Sequence, residues 1–310
     1  IASLGVDAFD LLDYTESGKR VDSATLIARA GVDGVARIEL RDFCNIDSTA
    51  MTQGDWHDLA QACIALAGDA GLSGIVIGHG TASLEETAFA LSLVLDLPIP
   101  VVVTGAMRPL SGISCDGPAN LAAALRVASA GRPGVFVVMN DEVHAPHRVT
   151  KSDTMRLNAF VSPGCGPLGQ VDGAHVSWAA PPVRPFAPFA ATLLARMPRV
   201  DLTLSHVDAD GTAIRAFAAA GARGIVSAGF GPGMATPAET QALAQAVRAG
   251  VTVVQAFRGG AGHVVDSASH RRLGIISAGR LAPQKARILL GLCLARGDGP
   301  EAIARSFQAG

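Results

Sequence analysis

Residues 78–87 read Gly78-His79-Gly80-Thr81-Ala82-Ser83-Leu84-Glu85-Glu86-Thr87, and at this stretch a buried strand is predicted to end and a helix to begin. Just before it, residues 74–77 form a short apolar run next to a glycine, which is typical of a strand covered on both faces. Ser83 and Glu86 have the S/T-x-x-E spacing of a capping box, followed by apolar residues at helical spacing. Thr81 is therefore expected at the C-terminal edge of a parallel sheet, beside a helix N-terminus, where ligands commonly bind.

The bulk composition favours a small-molecule ligand. A chain of 310 residues with 49% hydrophobic content can bury a large core and suggests two domains. A formal charge of -2 with 17% charged residues gives no basic surface for nucleic acid or for a membrane. No apolar run is long enough to span a bilayer, and the first residues lack a signal-peptide pattern. We expect a soluble, cytoplasmic protein, with the reservation that any signal peptide would precede Ile1.

Three further patterns bear on metals and cofactors. His144 and His147 are three residues apart, but Pro146 between them opposes a helix that would align them on a metal. The five cysteines are scattered and never in CxxC spacing, which indicates reduced thiols. Residues 229–233 have GxGxG spacing rather than the GxGxxG of a dinucleotide fingerprint, and a tight glycine turn explains them better. We expect no metal and no cofactor.

Strands and helices alternate through the middle of the chain. The predicted elements are strand Ile75–Gly78, helix Leu84–Leu95, strand Ile99–Thr104, helix Pro118–Ala130 and strand Val135–Asn140. Strands separated by helices of this length pair in parallel, so the loops that follow them meet at one edge of the sheet. Residues 35–40 alternate apolar and polar side chains, which predicts one more strand. A helix is expected after Thr52.

The second half of the chain repeats this alternation after a proline-rich segment. We predict an N-terminal α/β domain at residues 1–178, a linker at 179–198 and a C-terminal α/β domain at 199–310. Within the last, Thr236 and Glu239 have capping-box spacing, with a proline at the first helical position.

Several separate motifs, in order, resemble the bacterial-type L-asparaginase family. The matching segments are residues 74–81, 84–88, 105–109, 116–121, 149–151, 224–229 and 283–287. The resemblance covers nearly the whole chain. It implies an α/β, two-domain architecture with a larger N-terminal, flavodoxin-like, parallel-rich sheet and a smaller C-terminal α/β domain.

The resemblance also implies a reaction, which is cofactor-independent hydrolysis of the side-chain amide of L-asparagine through a threonine nucleophile. It implies a homo-oligomer, a dimer or a tetramer, whose sites lie between the N-domain of one subunit and the C-domain of its partner. The resemblance therefore implies that the site binds a small-molecule amide substrate. It implies no interaction with nucleic acid or with a membrane.

Individual residues carry over by position. Tyr14, the only tyrosine, resembles the family's catalytic loop tyrosine, Thr81 its second catalytic threonine and Lys151 its catalytic lysine. The implied substrate-binding positions are Ser48, Thr49, Gly80 and Ala82. A threonine hydroxyl is a poor nucleophile until a neighbour takes its proton, and a lysine can do so only if burial lowers its pKa.

Two departures from the family pattern affect the expected chemistry. The family's first threonine, in a Thr-Gly-Gly-Thr turn, would stand directly before Ile1, and we expect an upstream strand to carry it. Ala82 stands where the family has an aspartate that binds the substrate's α-ammonium group, which favours a small carboxylate-bearing amide without a free amino group. The alternatives are therefore a divergent amidase of that kind and a non-catalytic small-molecule-binding relative. An amidotransferase subunit is disfavoured, because no basic surface for tRNA is evident.

Overall fold

The computed structural model describes residues 1–12, 18–181 and 185–309, and it contains two compact units, Ile1–Arg184 and Pro185–Gly310. Each unit has strands paired into a sheet, with helices packed on it. Within the described residues, no helix has the length and apolar character that crossing a membrane requires.

The first unit contains four α-helices and eight strands among its described residues. The helices are α1 (Ser23–Ala30), α2 (Gln53–Leu66), α3 (Leu84–Val94) and α4 (Gly117–Ser129). The strands are β1 (Ile75–Gly78), β2 (Pro100–Thr104), β3 (Gly134–Met139), β4 (Glu142–His144), β5 (Thr150–Lys151), β6 (Phe160–Val161), β7 (Gly169–Asp172) and β8 (His175–Trp178). A short 3-10 helix spans Ser48–Ala50.

Six of these strands form one sheet in the order β1-β2-β3-β4-β7-β8. The pairs β1–β2 and β2–β3 are parallel, with Ile75 opposite Val101 and Val101 opposite Val135, while the remaining pairs are antiparallel. Strand β2 is buried along its whole length, as the apolar sequence predicts. Strands β5 and β6 form a separate antiparallel pair. The C-terminal ends of β1 and β2 therefore lie side by side.

The second unit is a four-stranded parallel sheet in the order β12-β11-β10-β9. Its strands are β9 (Val200–Leu204), β10 (Gly224–Gly229), β11 (Thr252–Phe257) and β12 (Ile275–Ser277). Its helices are α5 (Thr212–Ala219), α6 (Pro237–Arg248), α7 (Ala268–Leu273), α8 (Pro283–Arg296) and α9 (Pro300–Gln308). The predicted capping box is present at α6, where Thr236 and Glu239 bond each other's backbone N–H.

The predicted glycine turn after β10 is confirmed. Phe230 and Met234 form a bridge around it, and the Gly231–Pro232 peptide is cis. A Cβ on Gly229 would lie 2.1 Å from the Met234 carbonyl oxygen, so this close backbone approach requires glycine.

Two local predictions are wrong. Residues 35–40 form a turn followed by a segment without strand pairing, and the side chains of Val35 and Ile38 instead pack on the cluster around Leu121 and Leu125. Ser83 is the N-cap of α3 but makes no side-chain cap bond.

Candidate active site

Thr81 and Lys151, 70 residues apart in sequence, are in direct contact. Thr81 lies just beyond the end of β1, and Lys151 ends the short strand β5. The Lys151 Nζ donates to Thr81 Oγ1 at 2.9 Å. Both side chains are half-buried. An amine and a hydroxyl at this distance can exchange a proton directly.

Burial lowers the pKa of Lys151 below its ordinary value. The charges of Asp153 and Glu85 act in the opposite direction and raise it, but they are the smaller influences. Glu85 is itself buried in the first turn of α3, and its carboxylate accepts a bond from Thr150 Oγ1 at 3.4 Å. A desolvated lysine of this kind has a larger neutral fraction, and only the neutral amine accepts a proton.

Ser48 is held against the turn that carries Thr81. The Ser83 hydroxyl donates to the Ser48 carbonyl oxygen at 2.5 Å, which explains why it does not cap α3. A Cβ placed on Gly80 would lie 2.6 Å from Ser48 Oγ and 2.9 Å from Ser48 Cβ. Gly80 is therefore needed here because Ser48 packs directly on its backbone.

This contact predicts that Gly80→Ala destabilises the folded protein. We expect the substitution to lower the free energy of unfolding by about 1–3 kcal/mol, since the added methyl group overlaps the Ser48 side chain. Chemical denaturation measures the change. In Ser48→Gly, which removes the overlapping atoms, the same Gly80→Ala substitution should cost much less. An equal cost in both backgrounds would mean that the contact is not the cause.

Thr49, Gly80 and Ala82 line the same cavity as Thr81 and Lys151, and so does Ser48. The cavity has a volume of about 1860 Å³, whereas ligand pockets commonly measure ~300–1,000 Å³, so a small amide would fill only part of it. Ala82 and Thr49 are exposed. Ala82 brings no charge to this end of the cavity. Tyr14 lies outside the described residues.

Asp116 braces the loop that follows β2, a role that the sequence did not indicate. Its carboxylate accepts bonds from the backbone N–H groups of Met107 at 2.9 Å and Arg108 at 3.0 Å. The side-chain amide of Asn120 donates to Asp116 Oδ2 and to the Gly105 carbonyl oxygen, both at 3.0 Å. Residues 105–108 are thereby fixed beside the turn that carries Thr81.

His144 is a hydrogen-bonded residue of the interior. It is fully buried, with Nδ1 3.0 Å from Ser162 Oγ and Nε2 3.2 Å from the carboxylate of Glu142. Over residues 1–12, 18–181 and 185–309, no group of three or more His, Cys, Asp or Glu side chains is arranged to hold a metal ion.

The sequence and the fold match known proteins. The family model described as "Asparaginase, N-terminal" matches residues 10–184, and "Glutaminase/Asparaginase C-terminal domain" matches residues 199–307. The chain is 36% identical to the L-asparaginase 2 of Escherichia coli, over 88% of this chain and 80% of that protein. It is 32% identical to the glutaminase-asparaginase of Pseudomonas aeruginosa, over 99% and 87% respectively.

A solved structure agrees with these matches. The probable cytoplasmic L-asparaginase of Campylobacter jejuni has a TM-score of 0.91 and 34% identity, and the match covers 99% of this chain and 95% of that one. The α/β, two-domain fold expected from the resemblance is confirmed, and the non-catalytic alternative is not supported. The chain belongs to the asparaginase family and is an amidohydrolase.

Proposed function

We propose that the protein hydrolyses the side-chain amide of L-asparagine to aspartate and ammonia through a threonine nucleophile, with Thr81 and Lys151 as the proton-transfer pair. The observation that carries this proposal is the 2.9 Å contact between Lys151 Nζ and Thr81 Oγ1. The substrate is taken from relatives that are named L-asparaginase or glutaminase-asparaginase.

The proposed reaction has two stages. Neutral Lys151 takes the proton of Thr81 Oγ1, and a threonine oxygen attacks the amide carbon. Protonated Lys151 then returns the proton to the leaving nitrogen, so that ammonia departs and an acyl ester remains on the threonine. Water then attacks the ester and releases aspartate. We propose that backbone N–H groups of the turn after β1 stabilise the negative oxygen of each tetrahedral intermediate.

The residue that carries the acyl ester shows whether Thr81 is the nucleophile or a proton carrier. Rapid acid quench during turnover, followed by peptide mass mapping, locates the acyl group. An ester on Thr81 assigns the attack to that residue. An ester on another threonine, such as that of the Thr-Gly-Gly-Thr turn which the resemblance implies, leaves Thr81 as the proton carrier between Lys151 and that threonine. Absence of any ester under conditions of rapid turnover would contradict covalent catalysis.

A second candidate substrate class follows from Ala82. In the family resemblance this position is an aspartate that binds the substrate's α-ammonium group, and a methyl group offers that ammonium no partner. Amides that keep a carboxylate but lack the free amino group would not lose this contact. Succinamate, the desamino analogue of asparagine, represents this class.

Ammonia release from L-asparagine, L-glutamine and succinamate tests both candidates under the same conditions. Release from asparagine with the highest kcat/KM supports the asparaginase proposal. A higher kcat/KM for succinamate supports the second candidate. If none of the three amides releases ammonia above the uncatalysed rate, both assignments are wrong.

The lowered pKa of Lys151 predicts the pH profile. Because the neutral amine is the active form, kcat/KM should rise with pH through the pKa of Lys151 and then level off. Burial lowers that pKa, so the rise should be centred below the ordinary lysine value of 10.5. Steady-state kinetics over a pH series measure it. A profile that falls as pH increases through this range would contradict a neutral lysine base.

The remaining expectations stay predictions. Tyr14 as an assisting hydroxyl and a cofactor-free, homo-oligomeric enzyme with sites at the subunit interface follow from the resemblance alone. The cytoplasmic location stays a prediction too, since one relative is named a probable periplasmic L-asparaginase and another a probable cytoplasmic one.

A further inference from the structure

A buried chain of hydrogen bonds ends on the peptide that carries Thr81. The Trp56 Nε1 donates to Thr87 Oγ1 at 2.9 Å, and Thr87 Oγ1 lies 3.0 Å from His79 Nε2. The other ring nitrogen, His79 Nδ1, lies 2.7 Å from the Gly80 carbonyl oxygen. Trp56, Thr87 and His79 are all buried.

The chemistry of the members of this hydrogen-bond chain fixes the direction of the two outer bonds. An indole N–H only donates, so Thr87 Oγ1 accepts from Trp56, and its own hydrogen can point to His79 Nε2 when that nitrogen is unprotonated. A carbonyl oxygen only accepts, so His79 Nδ1 must carry the hydrogen that Gly80 receives. A neutral ring that donates from Nδ1 has an unprotonated Nε2, which then accepts the Thr87 hydroxyl hydrogen. Burial lowers the pKa of His79, which agrees with a neutral ring.

The position of the final bond matters for the site. The Gly80 carbonyl belongs to the peptide that joins Gly80 to Thr81, so a bond to it fixes the plane of that peptide. Ser48 packs on the same residue, as the Cβ distances at Gly80 show. The backbone N–H of His79 also donates to the Thr104 carbonyl at 2.8 Å, which extends the β1–β2 pairing up to the turn. The Gly80–Thr81 peptide is thus in contact with His79 Nδ1 at its carbonyl, and it follows a backbone that Ser48 and the β1–β2 pairing hold in place.

We propose that His79 is a positioning residue for Thr81, held by Thr87 and Trp56 as the neutral Nδ1–H tautomer so that its Nδ1–H orients the Gly80–Thr81 peptide. His79 touches no reacting atom in this scheme. The consequence for catalysis rests on the proposed function of Thr81, whereas the tautomer and the bond do not.

Nitrogen NMR tests the tautomer without any assay of activity. Long-range ¹H–¹⁵N spectra of the ¹⁵N-histidine-labelled protein distinguish protonated from unprotonated ring nitrogens, and the His79 signals are those that vanish in His79→Asn. We expect Nδ1 in the protonated range and Nε2 in the unprotonated range near neutral pH. The opposite tautomer, or a doubly protonated ring, would overturn the proposal even if the enzyme is active.

A matched pair of variants separates the two bonds of the ring. In His79→Asn the side-chain amide reaches the position of Nδ1 and can still donate to the Gly80 carbonyl. In His79→Gln the amide reaches the position of Nε2 instead, so the bond to Thr87 is kept and the bond to Gly80 is lost. Because misplacement of a reacting group lowers the rate steeply, we expect kcat to fall about tenfold in His79→Gln and about twofold or less in His79→Asn.

The unfolding free energy of both variants, measured by chemical denaturation, provides the control. A residue that only fills space would give losses of kcat that follow the losses of stability, with no advantage for Asn over Gln. That result would overturn the positioning role. If the wild-type protein releases no ammonia from any amide, the proposed function fails, and the NMR experiment still decides the tautomer and the bond.

Discussion

Replacing Lys151 with methionine is expected to lower kcat by a factor of about 10²–10⁴, the usual contribution of a general base. Methionine keeps most of the apolar volume of the lysine chain but has no nitrogen to accept the Thr81 proton. The loss should appear in kcat/KM as well, because the proposed proton transfer to Lys151 belongs to the transition state. Ammonia release under saturating substrate measures it.

Lys151→Arg is the matched control for charge. Arginine keeps the positive charge and can donate to Thr81 Oγ1, but its pKa is too high for it to act as a base. If Lys151 is the proton acceptor, Arg should be about as inactive as Met. Substantial activity in the Arg variant would show that the site needs a cation at this position, and the base assignment would be wrong.

Ala82→Asp is expected to change substrate preference in favour of L-asparagine. The new carboxylate could bind the substrate's α-ammonium group, and a hydrogen bond to a charged partner is worth about 1.5–3 kcal/mol, or roughly ten- to a hundredfold in the kcat/KM ratio of asparagine to succinamate. The lower part of this range applies if the carboxylate stays as exposed as Ala82 is. The same negative charge should raise the pKa of Lys151 and move the rising limb of the pH profile upward.

Ala82→Asn separates charge from shape. It has the same size as Asp but no negative charge, so it should leave both the substrate ratio and the pH profile close to those of the unsubstituted protein. Equal effects of Asp and Asn would mean that size at position 82, and not charge, determines the preference. An unchanged ratio in Ala82→Asp would remove the reason for a desamino substrate.

The turn around Thr81 was largely predictable from sequence, because its signals are local. An apolar run bounded by glycines predicts β1, and the apolar period that follows predicts α3. Lys151 could be assigned only through the resemblance, since strand β5 has two residues and no periodicity. Its contact with Thr81 depends on how the strand and the turn meet in three dimensions.

Other features were not predictable because they depend on distant partners. Ser83 has the right spacing for a cap, but the carbonyl of Ser48, 35 residues earlier, takes its hydroxyl hydrogen. Residues 35–40 alternate apolar and polar side chains as a strand does. In the structure, however, Val35 and Ile38 pack on the cluster around Leu121 and Leu125. His79 is adjacent to the expected site in sequence, but only the structure shows that its ring lies 3.0 Å from Thr87 Oγ1, which also accepts a bond from Trp56.

The most direct test of the central claim is the ionisation of Lys151 itself. The chain has three lysines, Lys19, Lys151 and Lys285, so a ¹³Cε-lysine-labelled sample gives a spectrum simple enough to assign with single Lys→Arg variants. The pH titration of each signal gives its pKa. A Lys151 pKa clearly below 10.5 is the predicted result. A value at or above 10.5 would contradict a neutral lysine as the base for Thr81.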